Sequence, residues 1–252
     1  MFCVASLVPS PPVLVPRLGG AAGTAAEGEV AVLRAAVHRA ATELAEAADR
    51  WVVIGAAAAD RVLGSDTVGT FRGYGVDVRA GFSETPLDDN AVIADPTLPL
   101  PALIGAWLRE QVAPHAVARA RLVAADTPAD ECVAFGACLR GSLDAGPERY
   151  GVLVVGDGAA TLSTASPGYY DERAEGVQAE IDRALSAGDR RALADLDPAL
   201  CADLHIGGRA AYQMLAGLFQ PEPADPKVET LYSAAPFGVG YHVSVWHPAG
   251  TA

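Results

Sequence analysis

The residues best suited to chemistry in this 252-residue chain follow short apolar runs. Asp157 comes directly after Gly151 to Val155, GVLVV, inside Gly156-Asp157-Gly158. A short apolar run bounded by glycine reads as a buried central strand of an α/β sheet. Ligands in such sheets collect outside the carboxyl ends of the strands. Asp157 therefore stands where a working acid is expected, ahead of the small and hydroxyl-bearing Ala159, Ala160, Thr161, Ser163 and Thr164. Ser10 lies in Pro9-Ser10-Pro11-Pro12, where proline fixes the neighbouring φ angles and holds the serine in place. His205 sits between Asp203-Leu204 and Ile206-Gly207-Gly208-Arg209, a tight turn into a helix N-terminus, and forms a candidate pair with Arg209. Asp157 and His205 are the candidate catalytic residues. Ser10, Thr161, Arg173 and Arg209 are the candidate ligand-binding residues.

Several chemistries are excluded by what is missing. Gly156-Asp157-Gly158 lacks the third glycine and the Lys-Ser/Thr of a phosphate-binding loop, and the residues after it do not open a helix. No GxSxG, HExxH or Ser-x-x-Lys occurs. A serine triad of Ser10, His205 and Asp157 has no support from spacing. Cys3, Cys132, Cys138 and Cys201 form no CxxC pair and read as buried, reduced thiols. His38, on the polar side of a charged helix, and His115, in a loop, read as solvated. His242 and His247 flank a strand end five residues apart, so alternation puts them on opposite faces, away from any shared metal. Arg173 also has a plain reading, as part of the charge run Asp171-Glu172-Arg173 at a helix start.

The elements that must position these residues alternate. Strands are expected at 2–8, 51–55, 121–125, 151–155, 228–234 and 241–246. Helices are expected at 26–48, 98–112, from Thr127-Pro128 to 143, around Val177, Ile181 and Leu185, and at 209–219. Asp189 and Asp197 read as N-caps of two short helices between these. Residues 64–90 read as an excursion with one short strand at 76–80, and 220–227 as a linker. Alternation of this kind predicts a single α/β domain over 1–252, a three-layer α/β/α sandwich around a central sheet.

Composition narrows the partners. The formal charge of −13 and a pI near 4.7 argue against nucleic acid and against an anionic membrane surface. No apolar run reaches the roughly 18 residues of a membrane span. The N-terminus, MFCVASLVPSPPVLVP, lacks a basic region and is rich in proline, which is not the pattern of a signal peptide. A cytoplasmic protein is expected.

Several stretches together resemble one family. VPSPPVLVPRLGG at 8–20, DRWVVIGAA at 49–57, VLVVGDGAA at 152–160 followed by SPGYYDERAEGVQAEIDRAL, and HIGGRAAYQMLAG at 205–217 are similar, in order and spacing, to the class III extradiol dioxygenase (LigB-like) proteins. That superfamily includes the Memo-like proteins, and APFGVGYHVSVW resembles the ending of an actinobacterial branch. The resemblance implies an α/β sandwich around a mixed sheet and oligomers, commonly dimers. It also implies ring cleavage of a catechol by Fe(II) held by two histidines and a glutamate, with a further histidine as acid/base. A two-histidine, one-carboxylate site leaves positions open for substrate and O₂. Here Ser10 stands at the first ligand position, Ala57 or a neighbouring alanine at the second, Ala160 at the acid/base position, and His205 at the glutamate position. One histidine cannot complete that triad, so no metal or cofactor is expected. The sequence points to a small-molecule binder, for a phenolic or anionic ligand, with altered or no ring-cleavage chemistry; the alternatives are a non-catalytic binding or partner protein and a working non-haem-iron catechol-cleaving dioxygenase.

Overall fold

The computed structural model describes residues 1–20, 27–89 and 91–249; the expected helix start at 26 lies outside them. Nine strands are described: β1 Phe2–Val8, β2 Arg50–Ala57, β3 Arg61–Leu63, β4 Val68–Thr70, β5 Arg79–Gly81, β6 Val117–Ala124, β7 Tyr150–Val155, β8 Lys227–Ala234 and β9 Tyr241–His247. The helices used below are α1 Glu29–Ala47, α2 Glu84–Asp88, α3 Leu100–Val112, α4 Ala129–Asp144, α5 Ala174–Ala187, α6 Arg190–Ala194, α7 Pro198–Asp203 and α8 Arg209–Leu218.

Seven strands make one mixed sheet in the order β3-β6-β2-β7-β1-β9-β8. Its centre, β6-β2-β7-β1, is parallel. The flanking pairs β3-β6, β1-β9 and β8-β9 are antiparallel. Helices cover both faces, and strand alternation divides the core between them. Val53, Leu153 and Val155 pack with Leu33, Leu44 and Trp107 of α1 and α3. Val52, Ile54, Val152 and Val154 pack with Ile181, Tyr212 and Leu215 of α5 and α8. A strand buried on both faces has no polar position, which is why GVLVV reads as an unbroken apolar run. The three-layer α/β/α expectation holds.

Helix contacts are close where glycine permits. A Cβ on Gly136 of α4 would lie 2.1 Å from the Met214 carbonyl oxygen, and one on Gly217 of α8 would lie 2.0 Å from that of Val133. Bare backbone lets the two helices touch. The Asp189 and Asp197 caps form as expected, accepting from the amides of Ala192 and of Ala199 and Leu200.

Several local expectations are corrected. The 64–90 excursion holds a two-stranded antiparallel sheet, β4 with β5, and the expected strand at 76–80 begins only at Arg79. Strand β6 starts at Val117, not 121; its Arg119 and Arg121 obscure the strand pattern because they lie on a part of the sheet face that solvent reaches. His38 is half-buried rather than fully solvated: its ring meets Trp107 edge-on at 5.7 Å, and burial, helped by Arg34, pushes it below the ordinary imidazole value. Cys138 is exposed and Cys3 partly so, while Cys132 and Cys201 are buried. Among the described residues no helix is long and apolar enough to cross a membrane.

Candidate functional site

The parallel strands end along one edge, and their register lines up the residues beyond them. Val8 and Gly55 both pair with Val155. Counting two residues on from each puts Ser10, Asp157 and Ala57 in one row. The β1–β7 ladder continues one step past the strand, with the Gly156 amide donating to the Val8 carbonyl at 3.1 Å. Side-chain bonds then take its place. The Ser10 amide donates to Asp157 Oδ1 at 2.8 Å, and the Ser10 hydroxyl donates to Oδ2 at 2.6 Å. Burial pushes the Asp157 carboxyl above its ordinary value, while both Ser10 bonds oppose that rise by favouring the ionised form. The hydroxyls of Tyr212 and Tyr241 are pushed up, first by burial and then by the Asp157 charge.

The loop after Asp157 is held by Gln178, a residue that no motif in the sequence singles out. The Ala159 amide donates to Gln178 Oε1 of α5 at 2.8 Å. Gln178 Nε2 donates to Asp182 Oδ1 at 3.1 Å, and His242 Nδ1 lies 3.3 Å from the same oxygen. His242 Nε2 is buried without a partner. The visible trace of Gln178 is a pair of glycines: a Cβ on Gly158 or Gly240 would fall 2.2 or 2.3 Å from its amide group.

His205 caps the C-terminus of α7. Its amide donates to the Ala202 carbonyl at 3.1 Å, and the Ile206 amide donates to the Cys201 carbonyl at 2.8 Å. This is the paired bonding of a Schellman turn, whose left-handed residue is usually glycine. His205 takes that place with φ of 52°, the one positive φ at a non-glycine residue among those described. A side chain in that conformation costs about 1–2 kcal/mol. The imidazole is exposed and makes no hydrogen bond among the described residues. It lines a cleft of about 580 Å³ with Asp126, Pro198, Cys201, Ile206 and Arg209. That cleft backs onto the Asp157 loop, since the Gly208 amide donates to the Asp157 carbonyl at 2.7 Å.

The other candidates separate. Arg209 is buried, and Nη1 donates to the Thr127 carbonyl at 2.6 Å and to Gln213 Oε1 at 2.8 Å, while Nη2 donates to the Ala125 carbonyl. It therefore ties the β6–α4 turn to α8, with both Nη groups engaged. Thr161 is buried and its hydroxyl donates to the Leu204 carbonyl at 3.3 Å, which supports the His205 turn from behind. Arg173 is exposed and paired with Asp171 at 2.8 Å and Asp203 at 3.4 Å, as its charge run predicts. Ser10 and Asp157 thus form one cluster and His205 and Arg209 line another, joined back to back at Gly208.

The donor set does not fit an Fe(II) facial triad. Ser10 donates its hydroxyl hydrogen to Asp157, Ala57 and Ala160 carry no ligand atom, and His205 lines the separate cleft. Among the described residues no group of three or more His, Cys, Asp or Glu is placed to hold a metal ion.

No protein-family model matches the chain, and no curated protein does. Among solved structures, the crystal structure of uncharacterized protein JW3007 from Escherichia coli K12 is similar over 97% of this chain and 99% of that one. The TM-score is 0.56 at 12% sequence identity. This likeness shows the fold. It says nothing of the chemistry.

Proposed function

We propose that this chain is an extradiol dioxygenase-like protein that has lost the Fe(II) triad and binds a small phenolic or anionic molecule in the cleft beside His205. The observation that carries the reading is His205 itself. An unpartnered imidazole occupies a turn position suited to glycine, on the wall of a cleft that is otherwise largely apolar. A ring with one hydroxyl or carboxylate matches that lining: the apolar wall takes the ring and the imidazole takes the polar group. Binding without ring cleavage is supported by the engagement of the other candidates. Asp157 is held by Ser10, Arg209 by backbone carbonyls, and Arg173 by surface acids.

The test is calorimetric titration of catechol, protocatechuate and benzoate into the purified protein, with oxygen uptake and metal content measured on the same preparation. Saturable binding that His205→Ala removes is the expected result, without near-unit iron or oxygen-dependent ring opening. Binding unchanged in His205→Ala would overturn the assignment of the cleft. Near-unit iron with ring opening would overturn the assignment of the chemistry.

A further inference from the structure

A second site lies at the opposite end of the sheet. Arg50 begins β2, Tyr150 begins β7, and Arg119 and Arg121 alternate with alanines on β6. Arg119 pairs with Val52 and Arg121 with Ile54 in the β2–β6 register. Alternation therefore puts Arg50, Arg119, Arg121 and Tyr150 on one face, the face whose farther part packs under α8. They line a groove of about 340 Å³ beside the short edge strand β3.

The charges in this groove are not balanced. Arg50 faces Glu148 at a loose 3.6 Å, and Arg61 of β3 faces Asp95 at 3.8 Å. Arg119 lies over the Tyr150 ring, its guanidinium carbon 5.6 Å from the ring centroid, a cation–π arrangement. Its Nε is buried with no hydrogen-bond partner. Arg121 makes no hydrogen bond or ion pair among the described residues. In a chain of 31 acids against 18 lysines and arginines, two neighbouring arginines without an acid are unexpected.

We propose that this groove is an oxyanion-binding site, taking the phosphoryl or carboxylate group of a small metabolite between Arg119 and Arg121. Planar, forked donors suit an acceptor that presents two or three oxygens. The site is independent of the His205 cleft, and neither stands or falls with the other.

Calorimetric titrations of the full chain with inorganic phosphate, pyrophosphate and citrate, at fixed ionic strength, test it. The expected result is saturable binding of at least one of these anions. Its Kd should rise about tenfold or more in Arg119→Gln and in Arg121→Gln, and stay unchanged in Arg39→Gln, which removes an arginine from an exposed ion pair on α1. A preference for pyrophosphate assigns a phosphoryl ligand and a preference for citrate a carboxylate one. Circular dichroism checks the fold, and Arg121→Gln decides alone if Arg119→Gln unfolds, because Arg121 has no hydrogen bond to lose. No saturable binding of any of the three, or unchanged affinity in a folded Arg121→Gln, overturns the proposal.

Discussion

Ser10 gives both its backbone N–H and its hydroxyl to the two carboxylate oxygens of Asp157, at 2.8 and 2.6 Å. The carboxylate thereby stands in for the next rung of the β1–β7 ladder, closing the sheet where both strands end. The residue that looks most like a catalytic acid is thus also a clasp.

The clasp predicts coupled stability effects. Ser10→Ala should cost about 1 kcal/mol, and Asp157→Ala, which strands a buried amide, about 1–3 kcal/mol. Urea melts of the single and double variants should show a coupling of about 0.5–3 kcal/mol. Strictly additive losses would mean that the two residues act separately.

The raised Asp157 carboxyl predicts a direction with pH. A carboxyl whose folded value lies above its unfolded 3.8 binds its proton more tightly in the folded protein. Its contribution is therefore fully present below pH 3.8 and is lost as pH rises through the higher folded value. The stability of the natural chain relative to Asp157→Asn should fall across that window. A difference that rises with pH would show that the Ser10 bonds, not burial, dominate.

Left-handed backbone at His205 predicts a trade between stability and binding. His205→Gly should match or exceed the natural chain in thermal stability, by up to about 1–2 kcal/mol, because glycine adopts φ of 52° without strain. His205→Ala keeps the Cβ and should be the less stable of the two. Both should lose the cleft ligand. An alanine variant more stable than the glycine variant would remove the strain argument.

Two glycines on the facing helices predict opposite outcomes for one substitution. Gly217→Ala drives a methyl to 2.0 Å from the Val133 carbonyl oxygen and should cost about 1–3 kcal/mol. Gly141→Ala, in α4 with nothing within 4 Å, should stabilise by about 0.5–1 kcal/mol. Chemical denaturation of the two variants reads the difference directly.

Much of the fold is legible in the chain. The runs FCVASLV, WVVIGAA and GVLVV carry no polar alternation because both faces of the sheet are covered, and Asp189 and Asp197 mark helix starts because an aspartate there satisfies free amides. These signals are local, so a single sequence determines them, and the α/β/α layering follows. The site is another matter. Ser10 and Asp157 are 147 residues apart, and only the register of β1 on β7 makes them partners. His205 is visible as a histidine in a turn, but its left-handed backbone depends on α7 ending at Asp203. Arg119 and Arg121 interrupt an apolar pattern, and the tertiary fold alone decides that the uncovered face beneath them is a groove. Sequence determined which segments are buried, since burial follows from side-chain chemistry along the chain. Which side chains meet at an edge or a groove was decided by strand order and register, which involve residues far apart in the chain.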